Sequence, residues 1–107
     1  MTLYGIPTCD TCRKAQKALA VAGHAVTFRD VRAEPLTAED VALFLGAFGE
    51  ALVNRRSTTF RNLSEAEKGG TPDALLAAHP TVMKRPVLRA GDRLTLGWTD
   101  KIRDAWG

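Results

Sequence analysis

Cys9 and Cys12 are the only thiols in this chain of 107 residues, and two residues separate them. A Cys-x-x-Cys pair can exchange disulfides, hold a metal or sit inert. Exchange needs one thiol that ionises at an accessible position and a second near enough to resolve a mixed disulfide. The flanking residues favour exchange. A short apolar run, Thr2–Ile6, precedes the pair, and a helical pattern starts at Asp10. Cys9 therefore falls at a strand-to-helix turn, where unpaired N–H groups and the positive end of the helix dipole stabilise a thiolate. Arg13, four residues beyond Cys9, brings a permanent positive charge to the same turn. A zinc site needs four ligands, and only His24 and His79 could join the cysteines, without His-x-x-x-His spacing. No metal site is expected.

Two further groups could act on an anionic substrate. Arg55, Arg56 and Arg61 lie in a polar, non-periodic stretch. They could clamp an oxyanion or the carboxylates of a thiol tripeptide, or simply form a solvated basic loop. Arg85-Pro86 precedes an apolar run, and its X-Pro bond is either a fixed cis turn or an ordinary trans edge residue. Trp98 and Trp106 read as packing residues.

These residues need elements to position them. Thr2–Ile6 reads as a first strand that Pro7 ends, with Gly5 allowing close backbone approach. Asp10 to about Ala22 reads as a helix whose small face is Ala15, Ala18, Leu19 and Ala22, stopped by Gly23. Ala25–Arg29 reads as a second strand, which makes a right-handed βαβ unit with parallel strands. Thr37 and Asp40 mark a helix start, and Val41, Phe44, Leu45 and Phe48 carry that helix to Phe48. A helical turn at Ala51–Val53, an ordered loop over 54–61 and short helices starting at Ser64 and Thr71-Pro72 follow. Val87-Leu88 and Leu94–Leu96 form a hairpin around Gly91-Asp92, and Thr99 caps a last helix. The expectation is a single domain over 1–107, α/β in class: β-α-β, a helical insertion at about 37–80, then β-β-α.

Composition limits the function classes. With 45% hydrophobic and 25% charged residues, the chain is that of a soluble globular protein. It has no apolar run of the ~20 residues that span a bilayer. The first residues lack a basic and long apolar leader, so a cytoplasmic protein is expected, in a reducing compartment where a static disulfide is disfavoured. A net charge of +3 is too small and dispersed to indicate nucleic-acid binding. The size and the lack of an obvious apolar patch suggest a monomer.

Taken together, Cys9-x-x-Cys12-Arg13, Asn54-x-Arg56-Ser57-x-x-Phe60, Lys84-Arg85-Pro86 and the element order resemble the ArsC-like family. That family includes glutaredoxin-dependent arsenate reductases, Spx transcription regulators and YffB-type proteins, and the first residues look most like the YffB-type branch. The resemblance implies a thioredoxin-like fold with a mixed four-stranded sheet. By it, Cys9 matches the nucleophile, Arg13 the basic residue four positions on, Arg85 an oxyanion-binding arginine and Pro86 a cis proline. Arg56 matches an arginine of the Spx and YffB branches. It further implies a thiol-dependent oxidoreductase acting on a small thiol or oxyanion substrate, with no tightly bound cofactor, glutathione as co-substrate and glutaredoxin as a possible partner. Two departures bear on arsenate: Asn54 and Leu96-Gly97-Trp98 stand where the reductases carry arginines. Cys12 departs the other way, because the reductases lack it while many Spx proteins have a Cys-x-x-Cys switch. Redox-switched binding of RNA polymerase, as in Spx, is the alternative expectation, and arsenate reduction a third.

Overall fold

The computed structural model describes residues 1–107. They form two compact units, one of residues 1–30 with 85–107 and one of residues 31–84.

The first unit contains the whole sheet. Strands β1 (Thr2–Gly5), β2 (Thr27–Asp30), β3 (Val87–Ala90) and β4 (Arg93–Leu96) lie in the order β2-β1-β3-β4. β1 pairs parallel to β2 and antiparallel to β3, which pairs antiparallel to β4, so the sheet is mixed. Helix α1 (Asp10–Val21) makes the crossover from β1 to β2. Gly91, at φ 60°, and Asp92 turn the chain from β3 into β4.

Strand alternation sends Leu3 of β1 and its register partner Leu88 of β3 to the same face. There they pack with Cys12, Ala15 and Leu19 of α1 and with Trp106. The buried stripe of α1 therefore runs Cys12, Ala15, Leu19. This corrects the alanine face expected from spacing: Ala22 is exposed and Ala18 only half-buried. Four small positions at helical spacing define a face, but the core ends at Leu19. Gly23, at φ 97°, takes the left-handed conformation that ends α1.

The last helix, numbered α6 in chain order (Asp100–Trp106), closes this core. Thr99 caps it by accepting from the Ile102 N–H at 3.2 Å. Trp106 anchors it: its indole N–H donates to Thr95 Oγ1 at 2.9 Å, and Arg93 lies over its ring at 4.1 Å. His24, beyond the end of α1, contacts the Trp106 carbonyl and meets its ring edge-on.

The second unit is helical. α2 (Ala38–Phe48) begins with the expected reciprocal cap: the Asp40 N–H donates to Thr37 Oγ1 at 3.1 Å and the Thr37 N–H to Asp40 Oδ2 at 3.2 Å. A single 3₁₀ turn follows at Gly49–Leu52. α3 (Thr58–Arg61) lies where an ordered loop was expected. Four residues are too few to show a helical period, yet the Ser57 hydroxyl caps them and Phe60 is buried. α4 (Glu65–Lys68) carries a second capping box, Ser64 with Glu67, and α5 (Pro72–Ala78) has proline in its first turn. The unit starts earlier and ends later than the expected 37–80. Val31 is fully buried, and the far end is held by a Val53–Met83 bridge and a 2.7 Å bond from the Lys84 N–H to the Leu52 carbonyl.

Trp106→Ala removes a buried indole together with its bond to Thr95. The expected loss is about 3–5 kcal/mol, read as a lower urea midpoint with unchanged slope; a loss under about 1 kcal/mol would show that α6 is not anchored there.

Candidate active site

Cys9 is the N-cap of α1, with φ −83° and ψ 117°. Two backbone bonds fix the turn: the Cys9 N–H donates to the Ile6 carbonyl at 3.1 Å, and the Arg13 N–H to the Cys9 carbonyl at 3.0 Å. No conventional side-chain cap closes the helix start. The Cys9 sulfur takes that place as an electrostatic partner of the Cys12 amide N–H, the third of the helix.

The two thiols occupy different environments. Cys9 is partly exposed, whereas Cys12 is completely buried. Partial burial is the largest single influence on Cys9 and opposes its ionisation. The Cys12 amide, the Cys12 thiol and the Arg85 guanidinium, by hydrogen bond and charge, together outweigh it and lower the pKa of Cys9. Burial pushes the Cys12 pKa up to about 12, and the adjacent Cys9 charge adds to the rise; an Ile6 backbone bond and the Arg85 charge oppose it more weakly. The first proton lost by the pair comes from Cys9, and Cys12 keeps its own as a donor.

Gly5 makes room for this arrangement. A Cβ at that position would lie 2.5 Å from Cys12 Sγ and 3.3 Å from its Cβ. The end of β1 thus passes against the buried thiol at a distance that only glycine permits.

Arg85 and Pro86 lead into β3, and their peptide bond is cis. The Pro86 carbonyl accepts from the Gly97 N–H at 2.8 Å, tying this turn to the end of β4. Cys9, Cys12, Arg85 and Pro86 all belong to the sheet-containing unit, and Arg85 acts directly on the Cys9 sulfur. Arg13 does not take the role its spacing suggested. Its guanidinium is paired with Asp10 and exposed, and the positive charge on Cys9 is that of Arg85. The sequence signal missed here was Asp10 itself, three residues before Arg13 and in reach on the same helical turn.

Arg56 belongs to the helical unit. It is exposed, and its N–H donates to Asn54 Oδ1 at 3.1 Å. Neighbouring Arg55 stacks over Phe60 at 5.3 Å. His79 bonds Glu67 at 2.6 Å, so both histidines are engaged away from the cysteines. No group of three or more His, Cys, Asp and Glu side chains is placed to hold a metal. No helix is long and apolar enough to cross a membrane.

A mixed β-α-β and β-β-α sheet, with a cysteine at the start of the first helix and a cis proline before the third strand, defines a thioredoxin-like thiol protein. Within that class the chain belongs to the ArsC family, whose profile matches residues 4–104. A solved structure, the YFFB (PA3664) protein, superposes with a TM-score of 0.88 at 36% identity, covering 97% of this chain and 96% of that one. An uncharacterized protein of Haemophilus influenzae is 37% identical over 106 residues, 94% of this chain and 93% of its own length. The global transcriptional regulator Spx of Bacillus subtilis is 30% identical over 112 residues, 96% of this chain and 84% of its own.

Alkylation by iodoacetamide, followed residue by residue as pH rises, separates the two thiols. Cys9 is expected to react with a midpoint below the ~8.5 of a free thiol. Cys12, with a pKa of about 12, stays unmodified throughout. Equal labelling of both cysteines in the folded protein would contradict the assignment.

Proposed function

We propose that this protein is a glutathione-dependent thiol–disulfide reductase in which Cys9 is the nucleophile. The observation that carries the reading is the ionisable, partly exposed Cys9, backed by Arg85 and by the Cys12 amide. A thiolate at a helix start, with a fixed positive charge beside it, is suited to attack a disulfide sulfur. With a glutathione mixed disulfide as substrate, the Cys9 thiolate bonds to the glutathionyl sulfur. The S–S bond breaks, and the substrate leaves as its thiolate. A second glutathione then attacks the Cys9 adduct, giving glutathione disulfide and regenerating the Cys9 thiolate. Arg85 holds negative charge at the sulfur in each step. Arg56 is assigned, through the family resemblance, to anionic parts of the substrate. Glutaredoxin is a possible alternative electron donor, and the cytoplasm is the compartment that supplies these thiols.

A second reading is a redox-switched regulator that binds RNA polymerase. Its specific support is the identity to Spx together with the Cys-x-x-Cys pair. Arsenate reduction has less support, because Asn54 and Leu96-Gly97-Trp98 leave the reductases' arginine set incomplete.

Turnover of a glutathionylated peptide, measured with glutathione in wild type, Cys9→Ser and Cys12→Ser, tests the proposal. Wild type is expected to turn over, Cys9→Ser to fall to the uncatalysed rate, and Cys12→Ser to retain activity through resolution by glutathione. No wild-type turnover, combined with redox-dependent binding to the C-terminal domain of the polymerase α subunit, would replace it with the regulator reading.

A further inference from the structure

Gly5 is the last residue of β1, and the sheet holds its backbone in place through the register with Asp30 of β2. Strand alternation puts position 5 on the same face as Leu3, which packs against α1. The facing helix is also held, because Ala15 and Leu19 are buried in the core that contains Leu3. The Cys12 side chain lies between these two fixed backbones. A Cβ at position 5 would stand 2.5 Å from Cys12 Sγ, 3.2 Å from Leu3 Cδ2 and 3.3 Å from Cys12 Cβ. The two longer contacts yield to shifts of a few tenths of an ångström, and the contact with sulfur does not.

With strand and helix both anchored, the sulfur is the atom that would have to move. A cysteine χ1 occupies staggered wells, so Sγ escapes the contact by jumping to another well rather than by sliding. In its present well the Cys12 sulfur is hydrogen-bonded with the backbone of Ile6 and with the Cys9 thiol. A jump gives up both partners. The missing side chain of Gly5 therefore selects the orientation of Cys12 that faces Cys9.

We propose that Gly5 is a positioning residue for the chemistry of Cys9: the space above its bare Cα holds the Cys12 thiol as a hydrogen-bond donor to the nucleophile. The proposal rests on Cys9 being the reactive thiol of the function proposed above. Gly5 touches neither Cys9 nor substrate in this role and acts through Cys12 alone. Its effect on Cys9 must therefore vanish when the side chain at position 12 can no longer donate.

The test is a mutant cycle of wild type, Gly5→Ala, Cys12→Ala and the double variant, all as the full chain. Iodoacetamide alkylation of Cys9, followed by mass spectrometry as pH rises, gives its midpoint in each. Gly5→Ala is expected to raise that midpoint by about 0.5–1 pH unit, the equivalent of one hydrogen bond. In the Cys12→Ala background the same substitution shifts nothing, and it costs no stability in urea, because its methyl group enters the space of the deleted sulfur. A third comparison, Gly5→Ala within Cys12→Ser, covers the case in which Gly5→Ala alone folds poorly: the smaller hydroxyl eases the contact, and the Cys9 midpoint still rises. Two results would overturn the proposal. One is an unchanged Cys9 midpoint on Gly5→Ala in the folded Cys12 or Cys12→Ser protein. The other is an equal rise in the Cys12→Ala background, which would mean that Gly5 acts through the backbone. The readout uses no glutathione, so absent turnover of the glutathionylated peptide would sink the reductase reading and not this one, whereas an unchanged midpoint with turnover retained would sink this one alone.

Discussion

The structure depends on a contest at one sulfur atom. Partial burial makes a charge on Cys9 costly, and the surrounding groups reverse that cost. The contributors come from two distant places in the chain: the first turn of α1 and the residue before the cis proline that leads into β3. Charge-assisted hydrogen bonds of this kind are stronger than neutral ones because one partner is already ionised. The sheet serves this arrangement. β1 delivers Cys9 at its end, and its neighbour β3 is preceded by Arg85, so the pairing of those two strands brings the two charges together.

Cys12 acquires its character from the same construction. It is part of the core formed with Leu3, Ala15, Leu19, Leu88 and Trp106, and β1 reaches it only because residue 5 is glycine. A thiol held in apolar surroundings keeps its proton. In that state it serves the neighbouring thiolate as a donor.

Local features were legible in the sequence wherever a short-range rule governed them. The Thr37 and Asp40 pair with the Val41, Phe44 stripe placed α2 at its observed bounds, and Gly23 and Gly91 marked a helix stop and a hairpin. The family resemblance placed Arg85 and Pro86 in the site; spacing alone could not, because 75 residues lie between Cys9 and Arg85 and only strand pairing closes that interval. Arg13 shows the opposite error. Its helical spacing to Cys9 was real, but Asp10, three residues before it, offered its guanidinium a carboxylate, and the positive charge beside the sulfur is that of Arg85. The alanine face of α1 misled in a third way, since period identifies a face and says nothing of where its covering ends.

The central claim is that Arg85 holds Cys9 as a thiolate. Thiolate absorbance of the folded protein, titrated in wild type and in Arg85→Gln with Cys12 replaced by serine in both, measures it directly. A Cys9 pKa below the free-thiol value of ~8.5 that rises when Arg85 is neutralised is the predicted result. A pKa at or above that value in the parent, or one indifferent to Arg85, would contradict the account.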